Sequence, residues 1–282
     1  MAASAVESVN RARVRSMIVP REHGAWGLLL MPLVSGAAIA LLDGSRGMAS
    51  LAWFSVAALA LFWLRTPVES LLGTSPFRPQ GETEREPVVA ATGLLVAIAA
   101  LALTALLWGG RNRDLFLIGA AAALAFVLQA GIKKMGRVMR MPAQIVGVIG
   151  LSATAPAAYY VVTGRLDERA LSIWLANWLF AAGQVHFVQL RIHAARVSEF
   201  AEKLRRGRGF LAGEALLVVA LITGWKFGIL PGLALLAFLP ALTRALRWFV
   251  RKPQPLAVRA LGWWEVAHSI IFGLLLVLAF SL

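Results

Sequence analysis

Residues 88–108 read VVAATGLLVAIAALALTALLW, 21 consecutive residues without a charge. At about 1.5 Å of rise per residue, a helix of that length crosses roughly 30 Å, the thickness of a bilayer's hydrocarbon core. Working outward, apolar runs recur at about 24–42, 49–64, 115–130, 142–162, 170–190, 210–225, 228–243 and 261–282, separated by short charged or Pro/Gly-rich stretches. The 282-residue chain is 59% hydrophobic, above the share in an ordinary soluble domain. The pattern predicts an all-α, polytopic membrane protein of about nine transmembrane helices, since a helix satisfies every backbone polar group within its own segment. Runs 49–64, 115–130, 210–225 and 228–243 are short, so their ends are expected to move by several residues or the helices to tilt. The chain has no Cys, which excludes disulfides, thiolate catalysis and cysteinyl metal sites. Residues 1–18 carry Arg11, Arg13 and Arg15 without an apolar core and small-residue cleavage site. They are expected to form a basic cytoplasmic segment, with residues 19–282 as one transmembrane domain.

A net charge of +14 would suggest nucleic acid in a soluble protein, but here its distribution carries the information. With the N-terminus inside, only Arg46, Arg111, Arg113, Arg165, Arg169 and Lys226 of the 28 Lys and Arg residues fall in outer segments. That bias predicts N-in, C-out in the cell (inner) membrane, with anionic lipid rather than nucleic acid as partner of the basic face. The inside loops are expected to be long: Arg65–Pro87, Arg191–Gly209 and Arg244–Ala260. Val197, Phe200 and Leu204 recur at helical spacing, so the second of these is expected to continue the sixth helix.

With this topology the short polar side chains gather at one leaflet. Glu22 and His23 enter the first helix, Arg65 and Glu69 leave the second, and Gln129 and Lys133 leave the fourth. Gln144 opens the fifth, Glu214 the seventh, and Glu265 and His268 the ninth. The sixth is richest, with His186, Gln189, His193 and Arg196 on one face and Gln184 and Arg191, seven apart, on a neighbouring face. An ionisable group at the bilayer centre costs about 2.5–3.5 kcal/mol on insertion scales, so such groups are expected to face a protein interior or a wet cavity. Arg and Lys can instead reach the interface, but Gln184, His186 and Gln189 are too short to do so easily. A cytoplasm-facing polar pocket is therefore expected. His186 and His193 lie about 10 Å apart along a helix, too far to share one ion, and no metal site is assigned. The chain shows no Walker, GxGxxG, HExxH or GxSxG pattern.

The stretch VPREHGAWGLLLMPLVSG, residues 19–36, resembles the opening signature of the YwiC-like family of bacterial membrane proteins. Residues 21–32, REHGAWGLLLMP, and 140–150, RMPAQIVGVIG, are also similar to the first- and fifth-helix openings of the UbiA superfamily of intramembrane prenyltransferases. That resemblance implies nine helices, N-in and C-out, around a cytoplasm-facing cavity. Arg65–Glu69 and Gln184–Glu199 correspond by position to the two Asp-rich motifs that hold Mg²⁺ and a prenyl diphosphate there. This chain has RTPVE at the first and GQVHFVQLRIH at the second, so a two-Mg²⁺ diphosphate site is not expected. Basic groups could instead hold an anionic or quinone-like ligand directly, since Arg offers a fork of donors.

The leading expectation is an atypical UbiA-like protein that binds or modifies a lipid-soluble molecule, such as an isoprenoid, a quinone or a haem precursor. Arg65, Glu69, Gln144, Gln184, Gln189, Arg191 and His193 would contact its polar head. Glu22, His23, His186, Glu265 and His268 would orient it or move protons. No cofactor is assigned. The alternatives are a non-enzymatic assembly or regulatory protein and a small-solute transporter; the latter is disfavoured by the lack of an inverted repeat or an outer polar cluster.

Overall fold

The computed structural model describes residues 11–20, 23–110, 113–195, 197, 199–251 and 257–282. Among them every regular element is a helix: residues 11–18 (α1), α2 His23–Leu42, α3 Met48–Leu71, α4 Glu82–Trp108 and α5 Arg113–Lys134. After a 3-10 turn at Arg137–Met139 come α6 Arg140–Ser152, α7 Thr154–Thr163, α8 Glu168–His193, α9 Phe200–Lys226, α10 Ala234–Val250 and α11 Val258–Ser281. Seven described segments are long and apolar enough to cross a membrane, with α6 and α7 counted together as Arg140–Thr163. The apolar part of α2, Trp26–Leu42, is shorter, and α10 has 17 residues. Large apolar side chains stand exposed on these helices, among them Leu101 on α4 at 65%, Leu124 on α5 at 60% and Leu216 on α9 at 69%. A surface of that kind suits hydrocarbon rather than water.

Four boundaries differ from the sequence reading, each for a local reason. The Arg65–Pro87 loop shrinks to residues 72–81, because α3 runs through Pro67 to Leu71 and α4 starts at Glu82. Glu82 and Glu84 occupy the first turn of α4, where its dipole favours acids, and Glu84 accepts the Gln80 N–H at 2.8 Å. The fifth predicted helix is broken at Ala153, since Pro156 has no N–H to donate to the Ser152 carbonyl and its ring crowds it. The sixth helix does not continue past His193. Ala194 and Val197 turn inward onto Phe187, Phe210 and Phe249, and α9 begins afresh at Phe200. Gly228 at φ +72° and Pro231 form a turn that delays α10 to Ala234, and that helix then carries Arg244 and Arg247, which the sequence reading assigned to a loop.

The chain packs as two compact units, Met1–His23 with Gly47–Asn112 and Gly24–Arg46 with Arg113–Leu282. In the first, α3 packs along α4 and α1 is docked on them. Met17 is fully buried, Trp63 Nε1 donates to the Ile18 carbonyl at 2.8 Å, and Arg13 faces Glu84 at 2.8 Å.

In the second unit, α2 lies against α7 and α8. Gly36 permits this approach, because a Cβ there would run into the Ala155 carbonyl. Asn177 on α8 donates to Ser35 Oγ on α2 at 3.3 Å and to the Ile173 carbonyl at 2.9 Å, so its buried amide is satisfied. At the start of α8, Asp167 caps Ala170 N–H at 3.0 Å and Arg169 pairs with Asp43 at 3.0 Å while also donating to the Phe280 carbonyl. At the other end of the unit Lys203, 3% exposed, donates to the Trp248 and Arg251 carbonyls at 3.3 and 2.6 Å. A cation placed there satisfies the orphan carbonyls that end α10.

Candidate functional site

Helices α8 to α11 share two apolar clusters. One contains Phe180, Leu221, Phe238, Phe272 and Leu276; the other contains Phe187, Phe210, Ala245, Phe249 and Leu261. The polar residues that fall between the two include, on each helix, one long side chain: Gln184 between Phe180 and Phe187, Glu214 between Phe210 and Leu221, Arg244 between Phe238 and Ala245, and Glu265 between Leu261 and Phe272. The clusters are met in opposite order on successive helices. The four polar side chains therefore occupy one level, a polar layer enclosed by hydrocarbon on both sides.

Arg244 and Glu265 pair across this layer at 2.5 Å, with side chains only 15% and 11% exposed. The guanidinium also lies 4.2 Å from the centre of the Phe187 ring, a cation–π contact. The pair is monodentate: Nη1 reaches Oε1, while Nε of Arg244 and Oε2 of Glu265 are buried without a hydrogen-bond partner among the described residues. Gln184, 4% exposed, also lacks partners on both Nε2 and Oε1. Glu214 lies within electrostatic reach of Arg244, and Arg191 within reach of both Arg244 and Glu265. Buried polar groups in native proteins are nearly always satisfied, so four orphaned atoms in one layer call for an explanation.

The expected site residues divide into separate groups. On α8, at about 100° per residue, Gln184, Phe187 and Arg191 share the face that meets Arg244, while His186, Gln189 and His193 lie on the far side. The two sets are therefore nearly opposite rather than neighbouring. His186 packs edge-on against Phe210 at 5.1 Å, its Nδ1 over Gly213 of α9. Gln189 donates to Gln144 Oε1 on α6 at 2.9 Å, and His193 Nδ1 meets the Gln189 carbonyl of its own helix at 2.8 Å. Glu265 takes Arg244 as partner, whereas His268 Nδ1 meets the Trp264 carbonyl one turn back at 2.7 Å. Arg65 and Glu69 pair with each other at 3.1 Å on α3 and belong to the first unit. Glu22 and Arg196 lie outside the described residues, and His23 is described only as the first residue of α2.

Arg244 is the residue the sequence reading missed. Its signal was the helical spacing of Phe238, Ala241, Ala245 and Phe249, which extends the eighth apolar run through the arginine instead of ending it there. Glu214 was read as a helix entrance, but α9 starts at Phe200 and places it near mid-helix.

Helices of this length and apolarity, with apolar side chains outward and ionisable ones turned inward, define an integral membrane protein. The chain belongs to the YwiC-like family, whose model, described as YwiC-like protein, matches residues 19–159, half of its length. No curated protein and no solved structure matches it, so the likeness to the UbiA superfamily rests on the short strings quoted above. The polar layer lies entirely beyond the matched half.

Proposed function

We propose that this membrane protein binds a lipid-soluble molecule whose polar head enters the layer formed by Gln184, Glu214, Arg244 and Glu265. The observation that carries this reading is Gln184, a buried amide with neither its donor nor its acceptor used among the described residues, one turn before Phe187, on whose ring Arg244 of the Arg244–Glu265 pair rests. Leucine would fill the same volume without leaving unpaired polar atoms, so glutamine weakens the fold unless something pairs with it. The proposed orientation is N-in in the inner membrane, supported by the fall of only six of the 28 Lys and Arg residues in outer segments.

The test is untargeted mass spectrometry, with absorbance spectra, on the full chain purified in mild detergent, comparing wild type with Gln184→Leu. An isoprenoid, quinone or haem-type molecule retained by wild type and lost in a variant that melts no lower supports the reading. Equal small-molecule content in both proteins overturns it.

A further inference from the structure

The unpaired atoms of the layer specify a head group, an inference that rests on the binding reading above. Two are donors, Arg244 Nε and Gln184 Nε2, and two are acceptors, Glu265 Oε2 and Gln184 Oε1. Arg244 and Glu265 already balance each other's charge within the layer. An anion accepting from Arg244 Nε would face the free oxygen of the Glu265 carboxylate, a like charge. A cation would meet Arg244. A carbonyl or ether would engage the donors and leave both acceptors, Glu265 Oε2 and Gln184 Oε1, orphaned, where a hydroxyl leaves only the neutral amide oxygen.

We propose that the layer takes an uncharged, hydroxyl-bearing head on an apolar body, a hydroquinone or a long-chain alcohol, whose O–H donates to Glu265 Oε2 while its oxygen accepts from both Arg244 Nε and Gln184 Nε2. A hydroxyl stays neutral while both donating and accepting, and unlike a water molecule it can be carried on a hydrocarbon. The apolar clusters on either side of the layer suit the hydrocarbon it is attached to.

The test uses the full chain in nanodiscs and a dodecanol analogue bearing an alkyl diazirine, with cross-linked peptides mapped by mass spectrometry. Labelling of α8 and α11 is expected, falling about tenfold in Gln184→Leu, the loss of one hydrogen bond from the bound head. Unlabelled dodecanol or dodecylhydroquinone should compete at concentrations about tenfold lower than dodecyl methyl ether, laurate or dodecyl phosphate, and whichever of the first two competes better names the source of the hydroxyl. Stronger competition by laurate or dodecyl phosphate, or competition by the ether equal to that of the alcohol, overturns the hydroxyl assignment and leaves the binding site standing. Labelling spread evenly over all helices, or unchanged in Gln184→Leu, overturns the site and the assignment together.

Discussion

Arg244 on α10 and Glu265 on α11 are 21 positions apart in sequence and meet at 2.5 Å inside the second unit, with the guanidinium resting on Phe187 of α8. Removing one member of a buried pair strands the other charge, whereas replacing both with apolar residues removes the desolvation penalty as well. Arg244→Leu or Glu265→Leu alone should destabilise by about 3–5 kcal/mol, and the double variant by far less. Thermal unfolding in detergent, analysed as a double-mutant cycle, checks this; additive losses would mean the pair is not coupled.

Lys203 is tied to the end of α10 through the carbonyls of Trp248 and Arg251, with its ammonium 5.3 Å from the Trp248 ring. Lys203→Met keeps the apolar stem and removes the donor, and should cost about 2 kcal/mol, typical of a hydrogen bond to a charged group. Hydrogen exchange should quicken in the last turn of α10 and not in α2, which Lys203 does not hold. Unchanged protection there would show that the cap is not what ends the helix.

Two glycines of α2 should respond oppositely to alanine. At Gly36 the new methyl meets the Ala155 backbone, which cannot yield without moving α7, and a loss of about 1–3 kcal/mol is expected. At Gly27 nothing lies within 4 Å of the added carbon, and the gain in helix propensity should leave stability unchanged or raised by about 0.5–1 kcal/mol. Melting temperatures of the two single variants decide it.

Because the chain has no Cys, one introduced thiol is the only one present. Under the proposed orientation, Gln80→Cys should react with a membrane-impermeant maleimide only after the cells are opened, and Ser45→Cys in intact cells. The reverse pattern would invert the topology.

Much of the fold was legible along the chain because a membrane helix is a local object. Its length must match the hydrocarbon thickness and its backbone bonds stay within the segment, so runs such as 88–108 and 170–190 became α4 and α8 with little displacement. Boundaries set by a neighbour were not legible. Pro67 and Pro87 read as loop residues, yet both lie within helices, and the break after His193 follows from the burial of Ala194 and Val197 against residues far along the chain.

The sequence by itself determined that the protein is helical, that it is built for lipid, and that Gln184 and Glu265 stand where isolated polar groups are costly. Only the tertiary structure decided which of those groups meet. It joined Gln189 of α8 to Gln144 of α6, laid Arg244 on Phe187, and supplied that arginine as the partner of Glu265. The physical reason is that hydropathy and helical period report depth and face within one segment. The contact of two charges across a low-dielectric layer depends on how separate helices pack, which no local pattern encodes.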